Sequence, residues 1–357
     1  MAYTTIDNPE DYFITHTYSG NNTTNNQTSL GMTPDLVWVK SRNTGSPTQH
    51  YIVDKVRGDE EYIISNSTAA EATDSNTFAL VSGGFNLDGS NGWTNLTGRT
   101  FVAWNWKAGG SGSANTTGDI NSTVSVNTDA GFSIIKYEGS GTDGDDVGHG
   151  IGATPSVILL KQYSQVSGWR VYHSSIHASS GEDKNLFLQD SDANTTDIDT
   201  ISGVSSTVFT LKDTNGNGAT NNSGGDFIAY AWTPVQGYSK FGSYVGNGST
   251  TNGPFIYTGF LPAFVMIKCT SAVSDWWIWD SKREPNNLKD LDLYPNLQTA
   301  EDTSLGSNGP DFLSNGFKFQ SSGVTAYEPN VDGAEYIYMA FAEAPFVNSN
   351  GVPCNAR

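Results

Sequence analysis

The fold is decided by the segment PDLVWVK at residues 34–40, which returns as PSVILLK at residues 155–161 and as PAFVMIK at residues 262–268. Each copy is a proline, a short apolar run without alternation, and a lysine. Such a run is typical of a strand buried on both faces, and a proline at a strand's start removes no ladder hydrogen bond. The copies begin 121 and 107 residues apart, which indicates an internal repeat.

Three further blocks recur around this strand in the same order. A strand ending in Tyr-x-Gly precedes it, and two aromatic strands follow it. The Tyr-x-Gly copies are YSG at 18–20, YEG at 137–139 and YVG at 244–246. The third block reads HYIVD at 50–54, WRVYH at 169–173 and WWIWD at 276–280, and the fourth reads FVAWNW at 101–106, FIAYAW at 227–232 and YIYMAF at 336–341.

The fourth block predicts two different strand faces, because side chains alternate along a strand. One face is bulky and should fill a core. The other is small and should let a second sheet or a loop come close. The bulky face carries Val102, Trp104 and Trp106 and their counterparts Ile228, Tyr230, Trp232, Ile337, Met339 and Phe341; the small face carries Ala103, Asn105, Ala229, Ala231 and Ala340.

The repeat predicts an all-β protein of three tandem, related β-sandwich units of the jelly-roll or lectin-like kind. Asn315-Gly316 adds a hairpin signal. We predict unit 1 at residues 1–107, unit 2 at 132–236 and unit 3 at 237–346, followed by a tail at 347–357. Residues 108–131 are rich in Gly, Ser, Thr and Asn and are predicted to be a linker, with one strand near 123–126.

Composition limits the function. The net charge is −19, so the surface should repel nucleic acid and anionic membranes. Cys269 and Cys354 are too few for a disulfide framework or a zinc site; Cys269 is expected to be a buried thiol, and a bridge between the two stays open. No signal peptide and no membrane-spanning run is visible, so the protein is expected to be made in a cytoplasm.

A search for catalytic and metal-binding patterns predicts no catalytic residue, no metal and no cofactor. Nucleophile, metalloprotease and phosphate-loop motifs are missing. His173 and His177 lie where a strand enters a turn and would not share a helix face. Asp213, Asn215 and Asn217 begin like a calcium loop, but Gly224 stands where the bidentate Glu is needed. An Asx-rich turn is the favoured interpretation.

Charged residues recur too. Glu71 and Glu301 occupy matching places in units 1 and 3. Because paired carboxylates can hydrolyse glycosides, the two residues could indicate a glycosidase, but the favoured interpretation is that each is a solvated carboxylate in a loop. Lys40, Lys161 and Lys268 end the buried strand in all three copies. A catalytic lysine in triplicate is implausible. We expect these lysines to extend to solvent or to pair with Asp54 or Asp280.

Trp276, Trp277 and Trp279 form the most aromatic stretch of the chain. Exposed, they would provide a glycan-binding platform, because the apolar face of a pyranose covers an aromatic ring well. Packing in a core or between units is the commoner use of such rings.

Several segments together resemble a family of marine bacteriophage proteins that carry a lectin-like, concanavalin-like domain of unknown function. The resemblance covers nearly the whole chain and rests on residues 2–7, 34–42, 54–58, 102–109, 237–244 and 336–343. It implies a virion-associated protein, such as a tail fibre, an appendage or a capsid decoration, and it transfers no functional residue. The lectin-like label rests on fold analogy.

The first hypothesis is therefore a structural protein on the virion surface that acts in assembly and host attachment and is not an enzyme. Its partners would be other virion proteins and further copies of itself, with a trimer as one expected state, and neither nucleic acid nor membrane. The alternative is a carbohydrate-binding module for host surface polysaccharide. A polysaccharide-degrading enzyme ranks third.

Overall fold

The computed structural model describes residues 3–43, 48–74, 78–177, 184–196, 199–213, 218–249, 251–302, 309–320 and 328–353. Over these residues the fold is all-β, as predicted, with one short 3-10 helix at Pro9–Asp11. No helix among them is long and apolar enough to span a membrane.

The strands fall into three sets along the chain. The N-terminal set contains β1 (Phe13–Ser19), β2 (Asn25–Gln27), β3 (Leu36–Ser41), β4 (Tyr51–Asp54), β5 (Gly58–Ile64), β6 (Ala72–Thr73), β7 (Phe78–Val81), β8 (Gly84–Leu87) and β9 (Thr100–Trp106). The middle set contains β10 (Ser113–Asn115), β11 (Ser122–Asn127), β12 (Phe132–Glu138), β13 (Asp146–Gly148), β14 (Val157–Gln162), β15 (Trp169–His173), β16 (Lys184–Asn185), β17 (Thr195–Thr196), β18 (Asp199–Val204), β19 (Val208–Asp213) and β20 (Asp226–Trp232). The C-terminal set contains β21 (Ser239–Val245), β22 (Phe255–Tyr257), β23 (Phe260–Cys269), β24 (Trp276–Asp280), β25 (Pro310–Leu313), β26 (Gly316–Phe319) and β27 (Glu335–Pro345).

Each set contains one large antiparallel sheet with the same central order of strands. The order is β1-β9-β3-β4 in the N-terminal set, β12-β20-β14-β15 in the middle set and β21-β27-β23-β24 in the C-terminal set. In each case the repeated apolar strand lies between the fourth-block strand and the third-block strand. It is buried along its whole length in all three sets, as the run without alternation predicts.

Each set also contains a small three-stranded sheet: β2-β8-β7, β13-β19-β18 and β22-β26-β25. The small face of the fourth-block strand packs in a core with this sheet. Ala103 lies in one such core with Phe85 and Leu87, and Ala340 lies in another with Phe317 and Phe319. The predicted close approach of a second sheet to the small face is therefore observed.

The bulky faces of the three large sheets meet one another in a single central core. Trp104 and Trp106 from the N-terminal set, Trp232 from the middle set and Phe341 from the C-terminal set are all at most 2% exposed there. The rings of Trp106 and Trp232 are 6.0 Å apart, and those of Trp106 and Phe341 are 5.7 Å apart. Aromatic burial of this extent makes the central core a principal source of stability.

The fold explains why the Tyr-x-Gly block recurs. Each tyrosine hydroxyl donates to a backbone carbonyl of the loop before the fourth block, and each glycine lies against that same loop. A Cβ at Gly139 would come within 2.3 Å of the Asn222 carbonyl oxygen, which only glycine avoids. The hydroxyl bonds are Tyr18 to Thr94 (2.8 Å), Tyr137 to Thr220 (2.7 Å) and Tyr244 to Pro329 (2.7 Å).

Residues 108–131 differ from the predicted linker. β10 and β11 lie in this range and extend the large sheet of the middle set beyond β12. The predicted strand near 123–126 is part of β11. Val124 is 7% exposed in the core of that sheet, so alternating Ser/Thr and Val residues build a strand despite the flexible composition around them.

Candidate functional site

The three tryptophans predicted as a glycan platform are buried. Trp276 is 2% exposed and belongs to the central core, whereas Trp277 and Trp279, at 2% and 0%, belong to the core inside the C-terminal set. Their indoles are also used internally, since Trp276 Nε1 donates to the Phe187 carbonyl (3.1 Å) and Trp279 Nε1 to Asp292 Oδ1 (2.7 Å). A stacking platform must be exposed, so the glycan-binding assignment of Trp276, Trp277 and Trp279 is wrong for this structure.

The weak calcium-loop pattern is only partly described. Asp213 is 6% exposed, and its Oδ1 accepts a hydrogen bond from the Gly218 amide at 3.3 Å. Asn215 and Asn217 lie outside the described residues, as does Cys354, the other half of the open disulfide question. Cys269 is buried, as expected. Within the described ranges no group of three or more His, Cys, Asp and Glu side chains could hold a metal ion.

Glu71 and Glu301 are not solvated loop carboxylates. Arg57 Nε donates to Asp54 Oδ2 at 2.5 Å, and its Nη1 donates to Glu71 Oε2 at 2.7 Å. In the C-terminal set, Arg283 makes the matching bonds to Asp280 Oδ2 (2.6 Å) and Glu301 Oε2 (3.2 Å). Both arginine side chains are 1% exposed. The two carboxylates therefore belong to buried Asp–Arg–Glu clusters.

Each Asp–Arg–Glu cluster lies where one strand set contacts another. Asp54 Oδ2 also accepts a hydrogen bond from the Tyr230 hydroxyl of the middle set at 2.8 Å. Asp280 Oδ2 accepts one from Trp104 Nε1 of the N-terminal set at 3.2 Å. Burial lowers the pKa of the Arg57 guanidinium, but the negative charges of Asp54 and Glu71 raise it by more, so the net pKa lies above its ordinary value. Arg57 is therefore charged at neutral pH.

The middle set replaces this cluster with neutral residues. His173 takes the place of Asp54 and Asp280 at the end of the third-block strand, as the strand registers show. Ile176 then occupies the place of the arginine. His173 Nε2 lies 3.3 Å from the Tyr338 carbonyl oxygen of the C-terminal set. Complete burial lowers the pKa of His173 to about 4, so the His173 imidazole is uncharged at neutral pH.

The three repeated lysines are buried at the same junctions, so the expectation that they reach solvent or pair with Asp54 or Asp280 is wrong. All three are 0% exposed. Each ammonium group donates to a carbonyl of its own following loop and to a carbonyl of another set. The bonds between sets are Lys161 to Thr68 (3.0 Å), Lys40 to Gln298 (3.2 Å) and Lys268 to Ser191 (3.0 Å).

These lysine bonds run in one direction around the molecule: from the middle set to the N-terminal set, from the N-terminal set to the C-terminal set, and from the C-terminal set to the middle set. Burial lowers the pKa of Lys40 to about 7 and those of Lys161 and Lys268 to about 8. Carbonyl oxygens supply the acceptors that a buried ammonium group requires.

Backbone hydrogen bonds repeat the same cycle. At each junction two amides of equivalent position cross between sets. The six bonds are Ser167 to Thr68 (2.9 Å) and Glu71 to Tyr163 (2.8 Å), Thr48 to Gln298 (3.0 Å) and Glu301 to Arg42 (2.8 Å), and Ser274 to Ser191 (2.8 Å) and Asn194 to Thr270 (3.0 Å). The three large sheets are thus joined into a closed ring by bonds of one kind.

Sequence reasoning missed the two arginines, although a signal was present. Arg57 and Arg283 each lie three residues after the aspartate at the end of a third-block strand. This Asp-x-x-Arg spacing, repeated in two copies and absent from the third, could have identified both clusters. The contacts between sets carry no local signal, because their partners are far apart in the sequence.

Fold and site together define an all-β protein whose antiparallel sheets are joined by buried polar contacts. The family whose model matches is described as a domain of unknown function, DUF7483, and the match covers residues 8–345. The chain belongs to this family. Searches of curated proteins and of solved structures found no match.

Proposed function

We propose that this chain is a structural, non-catalytic component of a bacteriophage particle, in which the three strand sets are copies of one sandwich module closed into a ring. The observation that supports the structural role and the ring is the cycle of lysine bonds from Lys161, Lys40 and Lys268 to the neighbouring set. Each set gives one bond and receives one, as subunits do in a closed cyclic trimer. The boundaries at 107, 131, 236 and 346 stay predictions.

The groups that could have carried chemistry support a structural role. A general acid or base must reach a substrate, whereas the Glu71 and Glu301 carboxylates accept bonds from buried arginines. The Glu301 carboxylate is also held by Arg42 of another set at 2.9 and 3.0 Å. The Glu301 carboxylate thus ties the C-terminal set to the N-terminal set, whereas the Glu71 carboxylate is held within its own set.

The virion assignment rests on the resemblance to marine phage proteins, and the architecture is compatible with it. A ring closed within one chain is a rigid body that can present loops to other virion proteins from a tail fibre, an appendage or a capsid surface. It also makes internally the contacts that a homotrimer would make between chains. The net charge of −19 favours protein or polysaccharide partners over nucleic acid.

The experiment is to purify phage particles from a culture that produces this chain, by density gradient and after a wash in molar salt. Quantitative mass spectrometry should find the chain at a fixed copy number per particle, and immunogold labelling should place it on the surface. Purified chain should release no reducing sugar from host polysaccharide. A chain that stays in the particle-free lysate, or that degrades the polysaccharide, would contradict the proposal.

A further inference from the structure

We propose that the C-terminal set carries a glycan-binding surface, the aromatic patch, formed by Tyr3, Lys240, Phe255 and Tyr257. Phe255 and Tyr257 are 46% and 47% exposed, and they are the aromatic side chains among the large apolar residues exposed in the described part of the chain. The inference goes beyond the structural role and does not depend on attachment to a particle.

Phe255 and Tyr257 share one face of β22, and Ile256 between them points into the core at 6% exposure. Two residues along a strand are about 6.8 Å apart, so the two side chains are neighbours on this face. The Phe255 ring lies across Gly316 of the neighbouring strand, where an added Cβ would be 3.1 Å from Phe255 Cε2. The missing side chain at Gly316 leaves room for the Phe255 ring against the sheet.

The surroundings of Tyr257 fix its position. Its hydroxyl lies 3.1 Å from the Tyr3 hydroxyl, which in turn donates to the Gly259 carbonyl at 2.9 Å. Lys240 Nζ lies 5.1 Å from the centre of the Tyr257 ring. The patch therefore combines exposed aromatic side chains with hydroxyl and ammonium groups, and these contacts position the Tyr257 ring before any ligand arrives.

The patch belongs to the C-terminal set alone. The strand registers place Asn26 and Thr28 of the N-terminal set, and Asp146 and Gly148 of the middle set, where Phe255 and Tyr257 stand. Lys240 pairs with the fourth-block strand at the position where Ile14 pairs in the N-terminal set and Ser133 pairs in the middle set. Asn26 and Thr28 are exposed polar residues, and Gly148 is buried beneath Asn115 and Thr117, so the fold itself does not require exposed aromatic rings there.

The chemistry of the patch fits a pyranose polysaccharide better than an added peptide strand. Sugar rings have apolar faces that cover aromatic rings, and hydroxyls that pair with groups such as Tyr3 Oη. Lys318, which is paired with Phe255 on the neighbouring strand, adds a further donor beside the patch; its Nζ is bonded to Asn252 Oδ1 at 2.7 Å. An extended peptide would need the free backbone edge of β22. That edge is blocked at Tyr257, whose carbonyl accepts a bond from Lys240 Nζ at 2.7 Å.

The test is affinity electrophoresis of the purified chain in native gels that contain a β-1,4-glucan, dextran or the polyuronate alginate. The first two probe neutral sugars and the third probes acidic ones. The double variant Phe255→Asn, Tyr257→Thr introduces the residues of the N-terminal set. The matched control is Val273→Ser, because Val273 is a 53% exposed apolar residue elsewhere on the same set.

At least one polysaccharide should retard the chain, and the double variant should raise the apparent Kd at least about tenfold, while the control leaves it unchanged. Both variants should keep the parent's thermal midpoint. The inference is overturned if no polysaccharide retards the chain or if the double variant is retarded equally. It is also overturned if the double variant abolishes only a concentration-dependent self-association in sedimentation, since the patch would then join two copies.

Discussion

Replacing Arg283 by Ile should destabilise the protein strongly, although Ile is the residue that the middle set carries at the same place. Arg283 donates to Asp280 Oδ2, to Glu301 Oε2 and to the carbonyls of Leu291 (2.7 Å) and Ile278 (2.9 Å). The substitution leaves Asp280, 1% exposed, as a buried carboxylate without its counter-charge. Losing one partner of a buried ion pair costs roughly 3–5 kcal/mol.

The lower end of that range, about 3 kcal/mol, is expected here. Asp280 keeps the amide donors of Lys282 (3.1 Å) and Arg283 (2.8 Å) and the indole of Trp104, and these donors still stabilise its charge. The middle set closes its junction with His173, Ile176 and Asn194. The triple variant Asp280→His, Arg283→Ile, Glu301→Asn removes the buried stranded charge. It leaves Arg42 without its carboxylate, but that side chain is 22% exposed and reaches water, so the variant should recover at least half of the loss.

Equilibrium urea unfolding, followed by the fluorescence of the nine tryptophans, measures both free energies. Lys55→Met serves as the control, because it removes a partly exposed pair with Asp59 and should cost no more than about 1 kcal/mol. A single variant within 1 kcal/mol of the parent, or a triple variant no more stable than the single one, would refute this account of the junction.

Two further predictions concern a turn and a titration. Gly139→Ala should lower the unfolding free energy by about 2 kcal/mol or more, because the new Cβ would lie 2.3 Å from the Asn222 carbonyl oxygen. The control Gly92→Ala, whose new Cβ has its nearest neighbour at 3.6 Å, should change the unfolding free energy little. Equal melting temperatures for the two variants would contradict this prediction. The pKa of His173 is about 4 in the folded protein, against an ordinary value of 6.5. As the pH falls, the unfolded chain therefore protonates this histidine before the folded protein does. The unfolding free energy should fall by about 3 kcal/mol between pH 6.5 and pH 4. His173→Asn should remove that part of the slope in urea titrations across the range, and an unchanged slope would show that His173 does not titrate in this way.

The sequence predicts the strands well, because their signals are local. Alternation along the fourth block separated Trp104 from Ala103, and the apolar run at 157–160 marked a strand covered on both faces. The predicted hairpin is observed between β25 and β26, although its turn is Ser314-Asn315 and Gly316 is the first residue of β26. Each of these patterns needs only neighbouring residues, since the two faces of a strand alternate whatever lies beyond them.

The junctions could not be predicted, because their partners come from distant segments. Lys161 ends an apolar strand, and nothing near it shows that its ammonium group meets a carbonyl 93 residues away. Likewise the spacing of Trp277 and Trp279 shows that they share a face but not that this face is covered. The aromatic patch was missed for the opposite reason, since Phe255 and Tyr257 alternate like core residues.

The central claim is that three equivalent junctions close the sheets into one ring, and native-state hydrogen exchange of six backbone amides tests it most directly. These are the amides of Thr48, Glu71, Ser167, Asn194, Ser274 and Glu301, two at each junction. A closed ring predicts that all six exchange together at the slow rate of global unfolding. Much faster exchange of Thr48 and Glu301, whose bonds join the N-terminal set to the C-terminal set, would mean that the ring is open and would contradict the account.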